Sequence, residues 1–206
     1  MPEFDNEEYE PFGLDDADKA GPTTPDADDD DLDDDIDDDE DDDEPEDATD
    51  DEVDFVIAAY REDGQLYVQP LATDLANDLE ELIVQLRRLP GDAGALGFVS
   101  LVEEVFVIVR VRGQHVQVLL SDGTAASDWP IARDVADLLG VEVDDDDEEE
   151  PMGDLTILAD LGLSDFDLGV IVDNLDLSSD QMLIEIAEKI NINPQFRVLA
   201  EAAFSS

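Results

Sequence analysis

The chain has 206 residues, no cysteine and one histidine, with 61 Asp/Glu against nine Lys/Arg, a formal net charge of −52. So few cations argue against a phosphate-binding surface, since affinity for nucleic acid comes largely from Lys and Arg neutralising phosphates, and direct binding to a bare membrane surface is disfavoured for the same reason. Without cysteine there is neither a disulfide nor a thiolate metal ligand.

The charge is unevenly laid out. Residues 1–52 carry 29 acidic side chains and one Lys, residues 53–142 carry 15 acidic and six basic, and residues 143–206 carry 17 acidic and two basic. Seven of those last acids form one run, Asp144 to Glu150. From Asp26 to Glu52 only Leu32 and Ile36 are large and apolar. So little apolar surface cannot offset a chain entropy of about 1–2 kcal/mol per residue, and like charges extend the chain further. The expected layout is a disordered acidic arm over 1–52, an α+β domain over 53–142, an acidic linker over 143–152 and a small helical domain over 153–206. The N-terminus Met-Pro-Glu-Phe-Asp lacks a basic and then apolar leader, and no segment reaches the length of a spanning helix. The expectation is a soluble cytoplasmic protein.

Order is expected to begin near Val53. Val53 to Tyr60 is apolar and β-prone, Asp63-Gly64 is a hairpin signal, and Leu66 to Leu71 returns, with Pro70 suiting an edge strand. Thr73 and Asp74 open a helix whose apolar positions, Leu75, Leu79, Leu82, Ile83, Leu86 and Leu89, share one face; Pro90-Gly91 ends it. Three strands follow, Ala95 to Leu101, Val105 to Val111 and His115 to Leu120. Their short connections imply antiparallel neighbours, and the middle strand is read as central. Ser127 is the expected cap of a second helix running to Leu139 and ended by Gly140.

The tail is read as wholly helical from residue 153 to 204. Asp154 caps a first segment to Leu161, Ser164 a second to about Asn174, and Ser178 with Gln181 forms a capping box for Ser179 to Ile190. Asn193-Pro194 starts a last helix with Phe196, Leu199, Ala200 and Phe204 on one face. Helices this short must pack on one another or on the first domain. The fold class is therefore α+β, a five-stranded antiparallel sheet with two helices in the order ββαβββα, followed by a small all-helical domain. That order resembles longin-like and profilin-like folds and carries no function with it.

Recognisable chemistry is sparse. One histidine cannot build a conventional zinc hydrolase or deaminase site, and His115 lies in a predicted strand with no Gly-x-Ser-x-Gly elbow anywhere. Gly91, Gly94 and Gly97 lack the Lys of a phosphate loop. The run Asp144 to Glu150 lacks the calcium-loop pattern, so only weak, non-specific divalent binding is expected. No catalytic, cofactor or metal residue is assigned. The partner-binding candidates are Arg87, Arg88, Arg110, Arg112 and Arg133, either a patch for an acidic ligand or a set paired with nearby carboxylates, and Trp129, either core packing or a ligand platform.

The stretches LRRLPGDAGALGFVSL (86–101), LLSDGTAASDWPIARDVADLLG (119–140) and GDLTILADLGLS (153–164) resemble the actinobacterial family of tRNA adenosine deaminase-associated proteins. The resemblance implies association with the enzyme that converts adenosine to inosine in tRNA anticodons, and it carries over no active-site residues. This chain lacks the His/Cys/Cys zinc set of that enzyme, so the implied role is a non-enzymatic accessory protein with the deaminase as protein partner and no direct contact to nucleic acid. Two other readings stay open: an acidic nucleic-acid mimic occupying a basic groove on another protein, and an enzyme working with carboxylates alone.

Overall fold

A computed structural model describes residues 45–91, 94–142 and 150–204 of the chain. The expected disorder of the arm over residues 1–44, and the extended form of the acidic run over 144–149, fall outside those residues. Within them a mixed α+β fold is built on one antiparallel sheet, with strands β1 (Val53–Glu62), β2 (Gln65–Pro70), β3 (Ala95–Leu101), β4 (Val105–Arg112), β5 (His115–Leu120) and β6 (Met152–Gly153). The spatial order is β2-β1-β3-β4-β5-β6. Five α-helices accompany it: α1 (Leu79–Arg88), α2 (Pro130–Leu139), α3 (Asp165–Val172), α4 (Ser179–Lys189) and α5 (Gln195–Ala203).

The sheet has six strands where five are expected from sequence. The sixth is two residues long, lies directly after Pro151, and pairs with Leu119 and Leu120. Backbone bonds from Gly123 to the Glu150 carbonyl and from Asp154 to the Val118 carbonyl, both 2.9 Å, flank it. The segment from residue 153 onward is therefore not wholly helical. Two residues following an acidic run carry no alternation to read; only the open edge of β5 makes them a strand.

Both faces of the sheet are apolar. Val105, Val107, Val109 and Val111 of β4 join Val99, Leu120 and the buried sides of α1 and α2 in one core. Phe106 and Ile108 of the same strand join Phe98, Leu119 and residues of α3, α4 and α5 in a second. The period-2 alternation of a strand thus sends every second side chain into a different core. A register shift between Val53 and Phe55 resets this alternation in β1, so that Val53 and Val56 face the first core while Phe55 and Ile57 face the second. Phe196 of α5 anchors the second core, edge-on to Phe98 at 5.1 Å and to Phe55 at 5.8 Å between ring centroids.

The start of α4 is tied to the sheet by polar groups as well. Ser179 and Ser100, both buried, share a hydroxyl hydrogen bond of 2.7 Å. Ser100 also donates to Asp54, and the Ser179 N–H donates to the Glu103 carbonyl. Asp54 accepts in addition from the Glu103 N–H at 2.7 Å, bracing a β3–β4 turn in which Val102 takes φ 47, a left-handed value costly for a β-branched residue.

Local caps depart from the sequence expectation at five points. The segment from Asp154 to Leu161 is not a capped helix but a turn, in which Asp154 accepts from the Thr156 N–H at 2.8 Å, followed by a 3-10 turn at Ala159–Leu161. The first predicted helix is split: a 3-10 turn at Thr73–Ala76 is followed by α1, whose cap is Asp78, accepting from the Glu81 N–H at 2.7 Å. Before α2, residues Gly123–Ser127 form a 3-10 turn, and Trp129, not Ser127, stands at the helix start. Ser178 caps no backbone N–H and hydrogen-bonds Asp180 instead. Phe204 ends α5 and is exposed. Ser164 and Gly140 do take the expected roles, the latter in the left-handed region at φ 67.

The fold also reaches further toward the N-terminus than Val53. Ala48 is buried in the first core, and its backbone exchanges two hydrogen bonds with the Asn77 side chain, at 2.8 and 2.9 Å. Thr73 donates to Asp50 at 2.7 Å. A composition count cannot see one alanine anchored among acids.

Two outcomes follow from this packing. Replacing Phe196 by Ala should cost about 3–5 kcal/mol and leave a single unfolding transition by calorimetry, because the C-terminal helices share the second core with the sheet; a separate melting step of the tail would contradict this. Asp134 of α2 accepts from the Leu79 N–H at 3.0 Å. Burial pushes its carboxyl above the ordinary range against that hydrogen bond, and Asp78, Asp137 and Glu80 push the same way. A raised folded-state pKa means that its favourable contribution exists at low pH and is lost as pH rises through the folded value. Asp134→Asn should therefore raise the melting temperature at pH 7, with the gain fading as both forms become neutral in acid; an Asn variant no more stable at pH 7 would refute this.

Candidate functional site

The structure distributes the six sequence candidates over separate places. Arg110, on β4, faces the helices of the second core and is only 2% exposed. Its guanidinium donates to the Ile157 carbonyl at 2.7 Å and grips Asp160 through both amino groups, Nη2 to Oδ2 at 2.8 Å. Arg112, two residues on and exposed, donates to Gln117 at 2.7 Å and lies 3.8 Å from the same Asp160 carboxylate. Gln117 in turn donates to Asp154 at 2.6 Å. The hydrogen bonds from Arg110 hold the Asp160 carboxyl below its usual range, with burial opposing. Burial pushes Asp154 up, but the Thr156 hydroxyl, the Gln117 amide and the Thr156 N–H outweigh it and leave this carboxyl low.

This network joins β4 and β5 to the 3-10 turn at Ala159–Leu161. It places Arg110 inside the protein with both terminal amino groups hydrogen-bonded. Arg87 and Arg88 end α1, where the helix dipole favours cations. Arg88 donates to Gln85, and Arg87 lines a surface groove shared with Asp78, Glu80, Asp134 and Asp137. Arg133 is half-buried on α2.

Trp129 occupies the most distinctive surface feature. It is half-buried, extended at φ −125 ahead of Pro130, and packs partly on the first core. It also lines an open groove of about 580 Å³ with the carboxylates of Glu104, Asp122, Asp128 and Asp173. Val105, Leu175 and Met182 supply apolar lining, and among the described residues no Lys or Arg lines the groove. Asp122 fixes one side by accepting from the Thr124 N–H and hydroxyl at 2.9 and 2.8 Å. Trp129 stands out in the sequence but the groove does not, because its walls come from β4, the turn before α2, and the ends of α3 and α4. The one signal was Leu175, an apolar residue left over between two helices.

Other features offer less. A cavity of about 30 Å³ beside Arg110, lined by Leu96, Leu161 and Ile192, has room for about one water. His115 is exposed at the start of β5. Among the described residues no three His, Cys, Asp or Glu side chains come together in a metal-holding group, and no helix is long and apolar enough to cross a membrane.

The Arg110–Asp160 pair is asymmetric, with a buried cation and a half-exposed anion. Asp160→Ala strands a buried charge and should cost about 3 kcal/mol, whereas Arg110→Met, which removes the charge and keeps the volume, should cost clearly less in denaturant titration. Because the folded-state pKa of Asp160 is depressed, the contribution of the pair is present above the unfolded pKa and lost as pH falls through the folded value; the penalty of Asp160→Ala should shrink over that acid range. Equal costs for the two variants would show that the pairing is not what stabilises this region.

A family model described as "Rv3753c-like tRNA adenosine deaminase-associated protein" matches residues 54–193. The chain is also 35% identical over 151 residues to "Protein Rv3753c" of Mycobacterium tuberculosis (strain ATCC 25618 / H37Rv), an alignment covering 71% of this chain and 87% of that protein. No solved structure gives a significant match, so the likeness to longin-like and profilin-like folds rests on element order alone.

Proposed function

The chain belongs to the Rv3753c-like tRNA adenosine deaminase-associated family, and from that premise we propose that it is a non-enzymatic accessory protein of the cytoplasm that binds a tRNA adenosine deaminase through its folded block. Family membership is the observation that carries this reading. The composition supports it: with no cysteine and one histidine, the chain lacks the His/Cys/Cys ligands that a zinc deaminase uses to activate water. A net charge of −52 makes it a poor partner for tRNA and a good one for a cationic protein face.

A second reading is favoured by the charge alone. The carboxylate-rich arm would mimic a phosphate backbone and occupy a basic groove on another protein. The two readings differ in which part of the chain makes the contact. Co-expression with the deaminase of the same host and purification through a tag on either protein should yield a complex that survives deletion of residues 1–44 and tolerates moderate salt. The deletion stops there because Ala48 and Asp50 belong to the fold. The purified chain alone should convert no adenosine to inosine. A complex that is lost on that deletion and dissolves steeply with salt would favour the mimic, and no complex at low salt between two folded proteins would refute the accessory role.

A further inference from the structure

We propose that the groove beside Trp129, continued by the exposed face of α3, is a docking surface for a cationic amphipathic segment of a partner protein. This deepens the accessory reading and rests on it for the partner's class. Residues 166–175 expose three large apolar side chains, Phe166 at 76%, Val170 at 57% and Leu175 at 87%. On α3, Phe166 and Val170 are four residues apart and share a face, while Leu168, Ile171 and Val172 are buried opposite. Solvent-exposed apolar side chains grouped this way mark interaction surfaces in soluble proteins. Asp173, the next residue on the Phe166–Val170 face, lines the groove, and Leu175 lies beside it.

The chemistry of the occupant follows from the charge around these side chains. Glu104, Asp122 and Asp128 line the groove with Asp173, and Asp165 and Asp167 open α3. An acidic or neutral segment entering here meets repulsion or leaves carboxylates desolvated without partners, at a cost of the kind that sets specificity. A segment with apolar side chains along one stripe and Lys or Arg on either side covers Leu175 and Trp129 and pairs the rim. Trp is among the residue types that dominate binding energy where an apolar patch is enclosed by a polar rim, and an indole face also attracts a guanidinium or ammonium group.

Trp129 is the only tryptophan in the chain, so its emission reports on the groove and not on the acidic arm. The full chain should be titrated with a synthetic Leu/Lys amphipathic peptide, a Leu/Glu peptide of the same pattern, and an oligolysine of equal length. The Leu/Lys peptide should shift Trp129 emission saturably, the Leu/Glu peptide should not, and oligolysine should bind without the shift. Leu175→Ser, at a position too exposed to unfold the protein, should weaken Leu/Lys binding roughly tenfold. The double variant Asp128→Asn/Asp173→Asn should weaken it less and flatten its salt dependence. Binding that leaves Trp129 emission unmoved, or affinity unaffected by both variants, would overturn the proposal. So would a wild-type dimer that Leu175→Ser returns to monomer, because the surface would then belong to a second copy of the chain. If the wild-type chain co-purifies with a deaminase and Leu175→Ser does so equally, the groove is refuted while the accessory role stands. If no deaminase co-purifies but the Trp129 signal behaves as described, the reverse holds.

Discussion

The structure depends on covering both faces of one apolar sheet. Every residue of β3 and all but the last of β4 are buried, so neither face tolerates water. The helices α1 and α2 cover one face and leave Phe55, Phe98, Phe106 and Ile108 on the other. The C-terminal helices supply the second cover. At about 25 cal/mol per Å² of apolar surface, leaving four such side chains wet is a large penalty for a domain of marginal stability. Short helices that could not stand alone gain their stability from the same contact.

Given that layering, the polar groups at the contact make sense. Ser100 and Ser179 meet where α4 reaches the sheet, and Asp54 and the Glu103 carbonyl satisfy the groups brought in with them. Arg110 lies on the same face, beyond the apolar stretch of β4, and is taken up by Asp160 and the Ile157 carbonyl. A buried guanidinium with a bidentate carboxylate and a carbonyl has fixed geometry. It sets where the turn after β6 sits, and through that turn the start of the helical cover.

The protein surface is left overwhelmingly anionic, and its apolar exceptions stand out against that background. Long-range repulsion between carboxylates favours solubility and disfavours self-association. It also disfavours acidic partners and favours cationic ones, an effect that falls with ionic strength.

Much of the fold was legible in the chain because its local patterns are strong. The bounds of Ala95–Leu101 and His115–Leu120 match those expected from sequence, and Asp63-Gly64 makes its turn with φ 50 and 80 as such a pair should. The family was also legible, in three stretches that no single catalytic motif marks. What the chain could not announce were features created by approach in space. The strand Met152–Gly153 exists because β5 has an open edge. Ala48 is ordered because Asn77 reaches it. Arg110 reads as one arginine among five until Asp160, fifty residues away, closes on it. The groove draws on Glu104, Trp129 and Leu175, which lie in three separate parts of the chain. Propensity and turn chemistry act over a few residues and so survive in sequence; the choice of helix cap, pairing of charges, edge completion and surface relief depend on how segments meet, and only the packed structure decides that.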